Sequence, residues 1–275
     1  MADLMDAQNK KEEIKEFEEE IVPNATNIKA SETFLLPSKG LFYNNPNMQS
    51  ITLRRMTVKE DKIRLRNDGE DKIRKALLQA CVIGEGIDIG QLTLFDVNYL
   101  LFQLRRISLL NNTYKVRCVC PYCKTEFIDE VDLSKLKIKY ADPENLPNFD
   151  IRLPISGMSV KLKYPSLNNT IYLRESIIEF MKRNQDADLG ELLYEVGDTI
   201  YIESINGRQM LAEEIEDIVS NLDIVDMRAV KDGIRKLDGM YGIDDEILCK
   251  CPNKSCGNDV HHGLPITGEL FSPSL

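Results

Sequence analysis

Six of the seven cysteines fall into two short clusters, residues 118–123 and 249–256, and this placement restricts the folds open to the chain. The first reads Cys118-Val119-Cys120-Pro121-Tyr122-Cys123; the second reads Cys249-Lys250-Cys251-Pro252-Asn253-Lys254-Ser255-Cys256, followed by Gly257. Two tight cysteine turns facing each other supply the four soft ligands that a tetrahedral zinc ion takes. Proline just after the first ligand favours such a turn, and glycine just after the last tolerates the positive φ that amide-to-sulfur bonding requires. Cys120, Cys123, Cys251 and Cys256 are therefore the expected ligands of one structural zinc ion. Four cysteine ligands leave no position for water, so the expected site is structural rather than catalytic. Such a site closes residues 124–250 into an insertion whose two ends the metal staples together.

Cys118 and Cys249 stand at matching positions, each two residues before an expected ligand. On a strand, residues two apart share a face, so both thiols can approach the site. They read as supporting groups, as thiols of the core, or as the replacement for one ligand. His261 and His262, the only histidines, are weaker candidates and read as surface residues. Cys81 lies on the apolar face of an expected helix and reads as a small buried hydrophobe.

The chain has no apolar run of about 18 residues, the length a spanning helix requires. Its first twenty residues are acidic and lack the apolar stretch of a secretory signal, so a cytosolic setting is expected, and with it reduced cysteines rather than disulfides. The net charge is −10, which opposes general binding to phosphate backbones. The most basic stretch, from Arg54 to Lys75, carries interspersed acids and reads as solvated helix faces. No phosphate-cradling glycine motif and no Ser-His-Asp or Cys-His arrangement occurs, so an enzyme is not expected.

Along the chain, residues 1–32 form an acidic arm, flexible or helical, with Leu4, Ile14, Phe17 and Ile21 at helical spacing. Residues 33–134 form an N-terminal helical region with the first knuckle. Residues 135–245 are an inserted hairpin plus helices, and residues 246–275 carry the second knuckle and the tail. Apolar periodicity predicts helices over 71–83, 93–109, 175–183, 190–196, 212–219 and 225–237. Thr57 is positioned to cap a helix, and Thr93 and Asp96 are spaced like a capping box. Strands are expected over 51–56, 113–118, 126–131, 151–157 and 160–164, the last two joined through a Ser-Gly turn. The expected class is α+β, mainly helical, with short antiparallel strands and a split zinc-ribbon-like site of four cysteines.

The order of several short motifs resembles the baseplate hub family of contractile-tailed bacteriophages (hub subunits or hub assembly proteins). The likeness begins at Leu36-Pro37-Ser38-Lys39-Gly40-Leu41-Phe42-Tyr43 and continues through Met56-Thr57-Val58-Lys59-Glu60. It passes through Asp96, Leu100, Leu101, Arg105 and Ser108 on one helix, then a cysteine pair, Asp132-Leu133 and Leu153-Pro154-Ile155-Ser156-Gly157. A second cysteine pair and Phe271-Ser272-Pro273 complete it, with the second pair spaced more widely than in the family. The resemblance implies a virion or assembly role without catalysis, other baseplate or tail proteins as partners, oligomers within the baseplate, and residence in the host cytoplasm during assembly. Residues 35–43 and Leu270–Phe271 are then candidate contact segments. The competing reading is a cytosolic zinc-ribbon module that binds nucleic acid or regulates, with Lys115, Arg117, Tyr122, Lys124 and Phe127 as its footprint.

Overall fold

The computed structural model describes residues 31–184, 190, 196–264 and 268–271. The expected N-terminal arm lies outside these except for its last two residues, as do most of the expected helix over 190–196 and the Ser272-Pro273 end of the tail.

The first hydrophobic core is built on a three-stranded antiparallel sheet, β1 (Ser31–Leu35), β2 (Ser50–Arg54) and β3 (Val82–Ile83). Helices α1 (Val58–Arg64), α2 (Glu70–Cys81) and α3 (Leu94–Leu109) pack with it. Thr57 caps α1 as expected, in a reciprocal box with Glu60. The expected helix over 71–83 stops at Cys81, because β-branched Val82 and Ile83 pair with Leu53 and Thr52 of β2. Cys81 is fully buried in this core, and burial pushes its thiol up to about 12.

Helix α3 is the axis of the first core. Val97, Leu100, Leu101, Leu104 and Ile107 are buried as the periodicity requires, and Tyr99 and Phe102 extend burial around the helix. The expected capping box at its start does not form, because the Thr93 side chain accepts no helix amide. Asp96 is instead fully buried and turned toward the segment between β1 and β2, where it accepts from the Ser38 amide at 3.0 Å and from the Tyr43 hydroxyl. Burial raises the Asp96 carboxyl to about 6 against the pull of these donors. At the far end, Arg105 is 2% exposed. It donates to the carbonyls of Leu270 at 2.7 Å, Asn111 at 2.6 Å and Thr113 at 3.2 Å.

After α3, β4 (Thr113–Val119) and β5 (Glu126–Asp132) form an antiparallel ribbon, and β6 (Ile138–Lys139) follows. The second core is smaller. Its sheet is β7 (Asp150–Arg152), β8 (Ser159–Leu162) and β9 (Ile202–Ile205), and its buried residues include Leu153, Val160, Leu162, Ile202, Val230 and Ile234. Between β8 and β9 runs α4 (Leu167–Arg183), which returns to the first core through Leu167 and Ile171. This helix starts earlier than the expected 175–183. Ser166 and Asn169 cap it reciprocally, and the Leu167 amide donates to the Leu92 carbonyl at 2.9 Å. A Cβ at Gly90 would lie 2.1 Å from Asn168 Oδ1, so any larger residue at this crossing displaces the Asn168 side chain.

Helices α5 (Ala212–Ser220) and α6 (Ile224–Leu237) complete the second core. Buried Asp226 of α6 accepts from the Ile155 and Ser156 amides at 2.7 and 2.9 Å and so holds the turn of the β7–β8 hairpin. Then β10 (Gly242–Ile243) pairs with β6, and β11 (Glu246–Lys250) with β12 (Asp259–Gly263) makes the second ribbon. Six α-helices and five small antiparallel sheets among the described residues make the fold α+β.

A hydrogen bond to an ionised carboxylate is stronger than one to the neutral acid. The folded-state carboxyl of Asp96 titrates near 6, above the ordinary carboxylate value, so it is ionised at neutral pH and protonated near pH 4.5. Replacing Tyr43 by Phe should therefore destabilise the protein by about 2 kcal/mol at pH 7.5 and by about 1 kcal/mol at pH 4.5. Urea titrations of both proteins at both pH values check this; an equal loss at the two pH values would contradict it.

Candidate metal centre

The two ribbons pack with their inward faces together. Along β4 the buried residues are Tyr114, Val116 and Cys118; along β11 they are Ile247 and Cys249. This strict alternation continues past each strand to Cys120 and Cys251, both buried. Each strand then enters a tight turn. In the first, the Cys120 amide donates to the Thr125 carbonyl and the Lys124 amide to the Cys120 carbonyl, both at 2.9 Å. In the second, the Cys251 amide donates to the Asn258 carbonyl at 3.0 Å, and the Cys256 and Gly257 amides both donate to the Asn253 carbonyl at 2.9 Å. The residue after the second cysteine of each turn is left-handed, Lys124 at φ 60° and Gly257 at φ 60°. The glycine is the residue that such a position favours, and the lysine pays for the same geometry with strain.

These turns bring the four expected ligands together: the Sγ atoms of Cys120, Cys123, Cys251 and Cys256 all lie within 4.8 Å of one another. The first cysteine of each turn meets the second of the other, Cys120 to Cys256 at 3.7 Å and Cys123 to Cys251 at 3.6 Å. This set could hold a metal ion. Its thiols differ in character. Thr125, with its hydroxyl 3.2 Å from Cys123 Sγ, draws the Cys123 thiol down to about 6, whereas burial pushes Cys251 up to about 12.

Cys118 and Cys249 sit apart from this set. Their Sγ atoms lie 3.4 Å from each other, and both residues are buried between the ribbons. His261 lies on β12, exposed, with Nδ1 2.6 Å from Glu246 Oε1 across the ribbon. His262 shares that strand, and neither histidine belongs to the cluster of four.

Of the residues named for a nucleic-acid footprint, Lys115, Arg117, Tyr122 and Lys124 are exposed. Phe127 packs against the first core, and Lys115 pairs with Glu130 at 3.9 Å. The basic stretch before it is balanced by acids as expected. Arg54 forks onto Glu60 at 2.9 and 3.1 Å and holds that carboxyl down to about 2, while Arg64, Lys72 and Arg74 pair with Asp61, Glu175 and Glu70.

A profile of the family described as T4 bacteriophage base plate protein matches residues 29–271, nearly the whole described chain and both knuckles. The chain belongs to that family. It is thus a phage baseplate protein, with a structural role in the virion tail and other tail proteins as neighbours. No curated protein and no solved structure matches the chain. Among the described residues of this baseplate protein, no helix is long and apolar enough to cross a membrane.

One expected contact segment is corrected. Leu270 and Phe271 are 0% and 3% exposed, part of the first core, and the Leu270 carbonyl is held by Arg105. The other is divided: Leu36 is buried and Phe42 joins an aromatic cluster, whereas Leu35 and Leu41 are exposed. Two functional groups that periodicity does not declare are the buried ionisable residues of α3, Asp96 and Arg105. Both stand in the motif that carries the family likeness, and that motif is their one signal in the sequence.

The two left-handed positions yield a reciprocal prediction. Lys124→Gly should raise stability by about 0.5–1 kcal/mol, and Gly257→Ala should lower it by about 1 kcal/mol. Thermal unfolding of the two variants at matched metal content measures both effects.

Proposed function

We propose that this baseplate protein is a non-enzymatic structural or assembly component of the baseplate hub of a contractile tail, held in shape by one zinc ion on Cys120, Cys123, Cys251 and Cys256. The observation that carries the zinc reading is the thiol cluster itself. Four thiolates about 2.3 Å from a tetrahedral centre lie about 3.8 Å from one another, close to the 3.6 and 3.7 Å of the two crossed pairs. An all-sulfur set favours zinc over magnesium or calcium, which take oxygen. Such a site has no open position and supplies no catalysis; it fixes the two ribbons and closes the insertion, residues 135–245, with its own core. The hub assignment rests on the ordered motifs from Leu36 to Phe271, and the role in assembly places the protein in the host cytoplasm before it enters the tail.

Because each ligand must be a thiolate, zinc binding releases protons and weakens on acidification. Elemental mass spectrometry of reduced protein should find one zinc per chain. Cys→Ser at 120, 123, 251 or 256 should remove it and cost at least about 3 kcal/mol of stability, whereas Cys118→Ser and Cys249→Ser should retain it. Metal-free protein with unchanged stability would refute the zinc reading. For the hub, a phage lacking this chain should accumulate incomplete baseplates with the central hub missing; complete tails would refute that assignment.

A further inference from the structure

Helix α1 keeps one side for the first core and turns the other to solvent. Glu60 is buried and Ile63 packs against that core, whereas Val58 and Leu65 are 75% and 72% exposed. Lys59, Lys62 and Arg66 are exposed as well. The turn continues past α1, with the Arg66 amide donating to the Ile63 carbonyl at 3.1 Å. Val58, Lys59, Lys62, Leu65 and Arg66 therefore follow helical spacing along one side. The acids of the helix are taken: Arg54 holds Glu60, and Arg64 holds Asp61 at 3.1 Å. Further along the basic stretch, Lys72, Arg74 and Lys75 pair with Glu175, Glu70 and Asp88. Lys59, Lys62 and Arg66 stand outside this pairing and form no ion pair among the described residues.

Exposed apolar side chains flanked by unpaired cations fit an acidic segment that carries spaced apolar residues. The chain contains such a segment, tethered beside this helix. Residues 12–21 hold six glutamates against one lysine, and Ile14, Phe17 and Ile21 recur at three- and four-residue spacing. The connection is short. Ser31 of β1 pairs with Arg54 of β2, four residues before Val58. The intervening residues 22–30 can span at most about 30 Å, and α1 is about 10 Å long, so the tether reaches the whole face. Tethering over such a distance gives an effective concentration on the order of millimolar, at which modest contacts suffice.

We propose that residues 12–21 of the same chain dock on this face of α1. Ile14, Phe17 and Ile21 cover Val58 and Leu65, and the glutamates between them meet Lys59, Lys62 and Arg66. With the segment seated, an apolar and cationic face of the first core is closed to acidic neighbours. Small apolar areas and exposed charges hold the contact, so it is reversible and sensitive to salt. The inference rests on neither the zinc nor the hub reading.

The test is carbodiimide cross-linking of the full chain at known metal content, which joins a carboxylate to a lysine amine where the two touch. An equal mixture of isotopically light and heavy chains is used, and linked peptides are read by mass spectrometry. The Lys72–Glu175 pair, at 2.5 Å, reports that the reaction has worked. Links from the glutamates of residues 12–21 to Lys59 or Lys62 should be all-light or all-heavy. They should be at least about fivefold more abundant than links from the same glutamates to any other lysine of residues 31–275. Val58→Ser combined with Leu65→Ser keeps both lysines and the tether but removes the apolar contacts. It should lower that yield at least about threefold and leave the Lys72–Glu175 link unchanged, which separates docking from mere proximity. An unchanged yield in this variant would overturn the proposal, as would links spread evenly over the exposed lysines or absent from Lys59 and Lys62. Links between light and heavy chains would overturn it in favour of a second copy as the source of the segment.

Discussion

A guanidinium can leave water only if its donors find acceptors, and Arg105 meets that condition by drawing three parts of the chain onto one helix. Its partners are the carbonyls of Leu270, Asn111 and Thr113, and Tyr114 lies 5.6 Å from its charged carbon. Losing one of these acceptors would leave a buried charge exposed to a large desolvation penalty. The constraint therefore fixes where α3 ends, where the first ribbon begins and where the tail returns. Asp96 does the complementary work at the other end of α3, taking two donors from the segment between β1 and β2. With a buried acid at its head and a buried base at its foot, α3 organises the first core through polar contacts as well as through its apolar faces.

That arrangement explains why the cysteine ribbons can meet. Arg105 anchors the root of β4 through Thr113 and the C-terminal tail through Leu270, so chain segments from both sides of the insertion are already fixed to the same helix. The ribbons then pack through Val116, Cys118, Ile247, Cys249 and Val260, an apolar interface on which the turns are stacked. Closing so long a loop costs entropy that grows only slowly with length, which a packed interface and a helix-bound tail can offset before any metal arrives. A metal on the four thiols would add to a closure that the protein framework already favours.

Much of the site was legible because its signal is local. Each turn lies within eight residues, its proline and glycine state its backbone geometry, and strand alternation alone predicts that the two preceding cysteines face the same way. The helices follow their apolar period, but α4 begins before its period shows: Asn168, Asn169 and Thr170 dilute the pattern in its first turn, and Asn169 rather than an acid completes the Ser166 cap. For Asp96, local spacing offers a helix amide, while the fold offers the Ser38 amide and a tyrosine. Leu270 and Phe271 enter the first core, which a short apolar pair without periodicity does not declare. The aromatic cluster was not legible at all, since Phe42, Phe95, Phe149, Tyr164 and Tyr241 come from five separate segments and share only their destination.

That cluster has a physical consequence for assembly. The two cores have separate apolar interiors and meet at a seam of rings rather than through one continuous interior. Edge-to-face rings, such as Phe42 on Phe95 at 89° and Phe149 on Tyr164 at 86°, add modest directional energy to their burial. A seam of this kind holds the cores in register through directional ring contacts. The net charge of −10 then acts at longer range, favouring encounter with cationic neighbours and suppressing encounter with acidic ones.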